Sequence, residues 1–214
     1  MGETNRKEAV AALHRAQIMT AAEKLFSEKG YEQTTIEDIS KKSEYSRRTI
    51  YAYYESKDDI LHCIIEKGLQ ALKTDIENAA NDNAGFADAY RAVCGAMRKY
   101  RREYPHSLER LNRSGDEEIG RAVKSAAVKN ILRLGTEINE TLEALIIRGQ
   151  ESGEVRKDIV PTLTVYVLWS SIDSLLALAG TKGKFICAQN GMTEEKFLDY
   201  GFRQIVNSIL EARI

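Results

Sequence analysis

Proline is nearly missing from this chain: Pro105 and Pro161 are the only two in 214 residues. Proline lacks a backbone donor and clashes with the preceding turn, so its scarcity leaves long stretches open to helix. Cysteine is scarce as well. Cys63, Cys94 and Cys187 are odd in number, widely spaced and without a CxxC pair, and no basic segment followed by an apolar run opens the chain. Secretion with a disulfide framework is therefore not expected, and the thiols read as small buried hydrophobes in a reduced cytoplasm. His14, His62 and His106 are scattered, with no HxxxH spacing, so neither a metal nor a cofactor is expected. GxSxG, HExxH and paired-acid arrangements are missing, which leaves catalysis without support and a non-enzyme as the expectation. The glycines and lysines of 180–184 lack the spacing of a phosphate loop and read as an interhelical loop. An excess of charge is missing too: the formal net charge is −1, far from a basic polymer that coats nucleic acid.

The hydrophobic share of 43% is ample for a core without covalent staples. Charge is unevenly placed: Lys41, Lys42, Arg47, Arg48 and Lys57 face only Glu44 and Glu55 between residues 41 and 57, a local positive patch on a neutral chain. Apolar residues from Val10 to Phe26 recur near helical spacing, and Gly30 follows as a left-handed cap. Thr34 with Glu37 has the pattern of a capping box for a short second helix ending near Lys42. Ser46 can cap a third that turns Ile50 and Tyr54 inward, and Ser56 with Asp59 can open a fourth running to about Asn78. Helices this short are unstable alone, so they must pack into one trihelical unit.

The polar stretch Asn81 to Gly85 marks a break before a larger helical region. Helices are expected there at about 86–102, 105–113, 116–151 with an interruption near Gly135, 161–180 and 193–212. The segment from Val160 to Leu178 is apolar almost all the way round and is expected to be buried on several sides. A membrane span competes with that reading, but Asp173 and several hydroxyl residues interrupt the run, so no membrane partner is expected. The domains so drawn are 1–56, 57–79 as a connecting helix, and 80–214.

The stretch from Ile18 to Leu61 resembles the DNA-binding domain of the tetracycline-repressor (TetR) family. The resemblance is carried by Ala21, Ala22, Leu25, Phe26, Gly30, Tyr31, Thr34, Thr35, Ile36, Ile39, Ser46, Thr49, Ile50, Tyr51, Tyr53, Lys57 and Leu61. It covers about a fifth of the chain; beyond it the turn from Gly149 to Asp158 matches the family in layout. Two positions depart from the pattern, since the family usually has glycine where Glu44 stands and commonly where Arg48 stands. If Glu44 has a positive φ, it carries a steric cost of roughly 1 kcal/mol.

The resemblance implies an all-α protein whose N-terminal three-helix domain holds a helix-turn-helix, followed by a ligand-binding and dimerisation domain. Arg47, Arg48, Thr49 and Tyr51 then open the recognition helix, where side chains reach base edges. Thr34, Thr35, Ser46, Tyr53 and Lys57 have the chemistry of phosphate contacts, with capping as the competing role. Phe86, Tyr90, Met97, Tyr100, Tyr104, Tyr166, Trp169 and Phe185 are candidates to line an effector cavity, although core packing explains each equally well. Asp173, a carboxylate on an apolar helix, needs a partner that a basic side chain, a capping group or a cationic ligand can supply. The expected function is a repressor that binds a palindromic DNA operator as a homodimer, through helices 161–180 and 193–212, and answers to a small molecule. The alternative is an all-helical small-molecule binding protein, or an enzyme, on a scaffold that no longer binds DNA.

Overall fold

The computed structural model describes residues 2–82, 85–105 and 125–211, and these form eight helices with no strand. They are α1 (Gly2–Lys29), α2 (Ile36–Ser43), α3 (Arg47–Tyr53), α4 (Lys57–Asp82), α5 (Phe86–Glu103), α6 (Ala126–Ser152), α7 (Pro161–Gln189) and α8 (Glu194–Asn207). Two compact units result: Met1–Leu69 with Tyr104–Arg133, and Gln70–Glu103 with Leu134–Ile214. Residues 106–113 of the helix expected at 105–113, and residues 116–124 of the one expected at 116–151, lie outside the described residues.

In the first unit the apolar stripe of α1 is buried only from Ile18 onward, with Ile18 and Ala22 fully covered and Phe26 2% exposed, whereas Val10 and Leu13 at its start are 44% and 56% exposed. Ile39 of α2 and Ile50 of α3 are fully buried as well. Each such side chain stabilises by about 1.5–3 kcal/mol relative to exposure, which is what holds helices of eight and seven residues that nucleation alone would not. Gly30 ends α1 at φ 85°, its N–H donating to Phe26 O at 3.0 Å.

The cap of α2 differs from the sequence expectation. Thr35, not Thr34, is the N-cap: its Oγ1 accepts from Asp38 N, while Asp38 Oδ2 accepts from Thr35 N. Thr34 is 1% exposed and donates its hydroxyl to Gly30 O at 2.8 Å. Ser46 caps α3 as expected, accepting from Thr49 N at 3.1 Å. Ser56 and Asp59 open α4, which runs four residues past the expected end, to Asp82.

In the second unit α5 buries Phe86, Ala89, Tyr90, Val93, Met97 and Tyr100 along one face. No break occurs at Gly135 within α6, and α7 continues to Gln189 through the segment expected to be a loop. The reason is packing. Ala179, Gly183 and Cys187 form a buried row at helical spacing, and a Cβ on Gly183 would lie 3.8 Å from Ala179 Cβ and 3.9 Å from Glu194 Cγ of α8. Close approach of α8 to this row offsets the roughly 1 kcal/mol that a helical glycine costs. α8 ends at Asn207, earlier than expected, because the chain then turns to pair with the 153–156 segment: Arg156 N donates to Ile209 O at 3.0 Å and Glu211 N to Glu154 O at 2.9 Å.

α7 is not buried on several sides. Val165, Ile172, Leu176 and Ala179 point inward, whereas Leu163, Tyr166, Val167, Leu178 and Phe185 form an exposed apolar face, Phe185 being 64% exposed. By length and composition alone α7 could also cross a membrane. Cys94 and Cys187 are buried and Cys63 half-buried; burial pushes the Cys63 and Cys94 thiols up to about 11 and about 12, so they are protonated at neutral pH.

Candidate nucleic-acid interface

Ile50 fixes the orientation of α3 by pointing into the core, and the opposite side of the helix faces out. Arg47, Arg48 and Tyr51 occupy that side at helical spacing; the Arg47 side chain is 62% exposed and Tyr51 51%. Arg47 has only a loose neighbour in Glu37, at 3.9 Å, and both partners are exposed, so the pair constrains little. Thr49 is half-buried, with its hydroxyl 2.8 Å from Ser46 Oγ. Lys41 and Lys42, exposed at the end of α2, add to the positive surface.

The turn between α2 and α3 passes through Glu44 at φ 62°, the one positive-φ residue other than glycine among those described. Ser40 stabilises this turn by donating its hydroxyl to Tyr45 O at 2.7 Å. At the other end of α2, Lys29 lies 2.7 Å from Asp38 Oδ2. That ammonium, together with hydrogen bonds from Thr35, holds the Asp38 carboxyl well below the usual carboxylate range.

The expected phosphate-contacting residues separate into two groups. Thr35 and Ser46 stand exposed at helix N-termini, where backbone N–H groups and the helix dipole favour an anion. Tyr53 is half-buried and shares a hydrogen bond of 2.9 Å with His14 Nδ1. Thr34 and Lys57 are engaged within the protein. The Thr34 side chain is buried, and Lys57 Nζ donates to Tyr31 O at 2.9 Å and to Thr34 O at 2.8 Å, 4.1 Å from the centre of the Tyr31 ring. Lys57 thus ties the start of α4 to the α1–α2 loop. Sequence reasoning missed His14, whose ring also contacts Tyr45 with centroids 4.9 Å apart. Nothing local signals it, since His14 and Tyr53 are 39 positions apart.

A second site lies wholly within the second unit. α5 contributes Phe86, Tyr90, Val93 and Met97 to an apolar cavity, opposite Leu145 and Ile146 of α6 and Leu168, Trp169 and Ile172 of α7. The open space is about 20 Å³, room for one water molecule. Trp169 is anchored by its Nε1 donating to Asn139 Oδ1 at 3.0 Å. Of the candidate lining residues, the structure brings Phe86, Tyr90, Met97 and Trp169 together. Tyr100 is buried outside the lining, and Tyr166 and Phe185 point outward from α7. Tyr104 falls in the first unit, its ring 5.9 Å from Lys67 Nζ. Asp173 pairs with Arg101, so of the three kinds of partner its position allowed it has a basic side chain.

Residues 18–64 match the family model described as bacterial regulatory proteins, tetR family. The HTH-type transcriptional regulator HbdR of Aromatoleum sp. (strain CIB) is 36% identical over 86 residues, 40% of this chain and 36% of the relative, so the match spans about a third of that protein's length. The fatty acid metabolism regulator protein of Bacillus subtilis (strain 168) is 25% identical over 164 residues, 73% of this chain and 78% of its own. The crystal structure of the TetR family transcriptional regulator PfmR from Thermus thermophilus is similar in fold, with TM-score 0.65 and 24% identity over 89% of this chain and 97% of that one.

Proposed function

We propose that this chain, which belongs to the tetR family of bacterial regulatory proteins through its domain at residues 18–64, is a ligand-responsive transcriptional repressor that binds a palindromic DNA operator as a homodimer in the cytoplasm. The observation that carries the reading is the outward face of α3. Two arginines and a tyrosine stand exposed on a capped helix whose opposite side is locked by a buried isoleucine. Arginine there can engage guanine O6 and N7 in the major groove, so Arg47 and Arg48 read sequence, with Thr49 and Tyr51 beside them. Thr35, Ser46 and Tyr53 contact phosphate, while Thr34 and Lys57 hold the elements that present them.

The exposed apolar face of α7 supports the homodimer, because a second copy of α7 and α8 would bury it as a four-helix bundle. A soluble chain otherwise rarely leaves so many large apolar side chains in water along one helix. The cavity between α5, α6 and α7 takes the effector. α4 has residues in both units, so a change at the cavity can be passed along it, with coupling of about 1–3 kcal/mol between ligand and DNA. The division of labour is 1–56 for DNA, 57–79 for connection and 80–214 for effector and dimer.

A gel-shift of the protein on the DNA upstream of its own gene tests the reading. Retarded DNA that is lost when Arg47 and Arg48 are both changed to alanine supports it. A chain that leaves that DNA and a selected pool of random duplexes unbound at low salt refutes it.

A further inference from the structure

The cavity between α5, α6 and α7 is lined almost wholly by apolar side chains, with the Tyr90 ring among them. Met97 lines it from α5, and one turn beyond stands Arg101; Trp169 lines it from α7, and one turn beyond stands Asp173. These two meet: a guanidinium N–H of Arg101 donates to Asp173 Oδ1 at 2.5 Å, with the side chains 32% and 22% exposed. A guanidinium offers five donors in a fork that suits a carboxylate, and this pairing uses one of its nitrogens. Of the other cations at the end of α5, Lys99 is paired with Asp75 at 2.8 Å and Arg102 with Glu103 at 3.5 Å.

The Tyr90 hydroxyl is buried without a hydrogen-bond partner, and the nearby Cys94 thiol is only a weak hydrogen-bonding group. Native proteins leave few buried hydroxyls without a partner, so this one is a hydrogen-bonding group open to whatever polar atom enters beside it. Arg101 follows Tyr90 by eleven residues on the same helix, roughly 16 Å along its axis.

We infer that the effector is an elongated apolar molecule whose anionic head is taken by Arg101 and whose far end carries a hydrogen-bonding group for Tyr90. This rests on the reading of the second unit as the effector domain. The head exchanges with the Asp173 carboxylate, so the arginine stays paired before and after binding. The apolar body opens the closed cavity by displacing Met97 and its neighbours; methionine, unbranched and flexible, repacks readily. Asp173 thereby acts as the stand-in for the ligand head in the empty protein, and the ligand shifts the population from the closed to the open cavity.

Trp169 is the single tryptophan of the chain and lies on the cavity, so its fluorescence reports occupancy. The full chain is titrated below micellar concentrations with dodecanoate, dodecanol and dodecyltrimethylammonium. Dodecanoate should bind about tenfold more tightly than dodecanol, the scale of a hydrogen bond to a charged group, and the cation should bind worst. Arg101→Gln should remove the advantage of dodecanoate over dodecanol, whereas Asp173→Asn should tighten dodecanoate. ω-Hydroxydodecanoate should bind more tightly than dodecanoate, and Tyr90→Phe should erase that gain. The inference is overturned if none of the three heads binds, if they bind equally, if the cation is preferred, or if Arg101→Gln keeps the preference for the anion. Should that variant fail to fold, the head series on the unaltered protein decides. Operator binding without ligand is measured alongside: retained operator binding with no head preference sinks this inference alone, and anion preference without operator binding sinks the regulator reading alone.

Discussion

Glu44 sits at the C-cap of α2 in the left-handed region, where a Cβ is crowded by the backbone and glycine is not. Such a residue costs about 1–2 kcal/mol, and glycine gives back about 0.4–1 of the relief through a more flexible unfolded chain. Glu44→Gly should therefore raise stability by about 0.5–1 kcal/mol in urea unfolding, and Glu44→Gln, which removes the charge but keeps the strain, should not. A few positions on, Arg47 and Arg48 are free to reach bases, whereas Lys57 is held by two backbone carbonyls. Alanine at either arginine should relax base preference at identifiable positions by about 1–3 kcal/mol per half-site, as read by competition between operator and scrambled duplexes. Phenylalanine at Tyr53 should weaken both duplexes alike, because a phosphate contact carries no sequence information. Lys57→Ala should lower the thermal midpoint of the first unit and weaken both duplexes through it. An unchanged midpoint with a flatter salt dependence would instead make Lys57 a phosphate contact.

Each short helix depends on its caps, and the α2 cap shows both how far sequence patterns reach and where they stop. Thr34 with Glu37 and Thr35 with Asp38 are two capping boxes in successive registers, so the pattern locates the start of α2 to within one residue. The choice between them is tertiary: Thr34 is drawn inward to Gly30 O, leaving Thr35 to cap. Thr35→Ala should cost about 1 kcal/mol. The pH dependence of this cap has a definite sign. Asp38 titrates lower in the folded chain than its unfolded value of about 4, so its contribution is complete above that pH and is lost as pH falls towards the folded value. Urea midpoints from pH 7 down to 3 should fall less steeply in Asp38→Asn than in the unaltered protein. The longer helices were legible in outline, but which face of α7 meets the core was not, because a helix apolar all round carries no periodicity to orient it. Its run through Gly180 was hidden for a similar reason: glycine reads as a loop residue unless its packed neighbour is known. Packing also decides what alanine would do at two other helical glycines. A Cβ on Gly149 would meet Val155 Cγ2 at 2.5 Å and Phe86 Cδ2 at 2.9 Å, both on buried residues, whereas on Gly201 it would meet the tip of the half-buried Leu175. Gly149→Ala should destabilise by about 1–3 kcal/mol and Gly201→Ala by much less, since Leu175 can swing aside.

At the scale of the whole molecule the unpaired face of α7 and the single reading helix of the first unit imply one another. One α3 of seven residues covers too few base pairs for useful selectivity, and a two-fold partner doubles the contacts without new sequence. Val167 and Phe185 lie on the exposed face, so glutamate at both should abolish self-association while leaving each unit folded. Sedimentation should then change from dimer to monomer at micromolar concentration, and operator affinity should drop towards that of one half-site. A dimer that survives this pair of charges would place the interface elsewhere. The symmetry sets the operator as well. Two recognition helices related by a two-fold axis must meet major grooves on one side of the duplex, which puts half-site centres about 34–36 Å apart, or a multiple of that, one turn being about 10–10.5 base pairs. Inserting about 5 base pairs between the half-sites turns the second groove to the far side of the DNA, so a rigid dimer keeps only one contact and affinity should fall to the single-half-site value. An insertion that left affinity unchanged would mean that the two DNA-binding units engage independently, and palindromy would then carry no role in recognition.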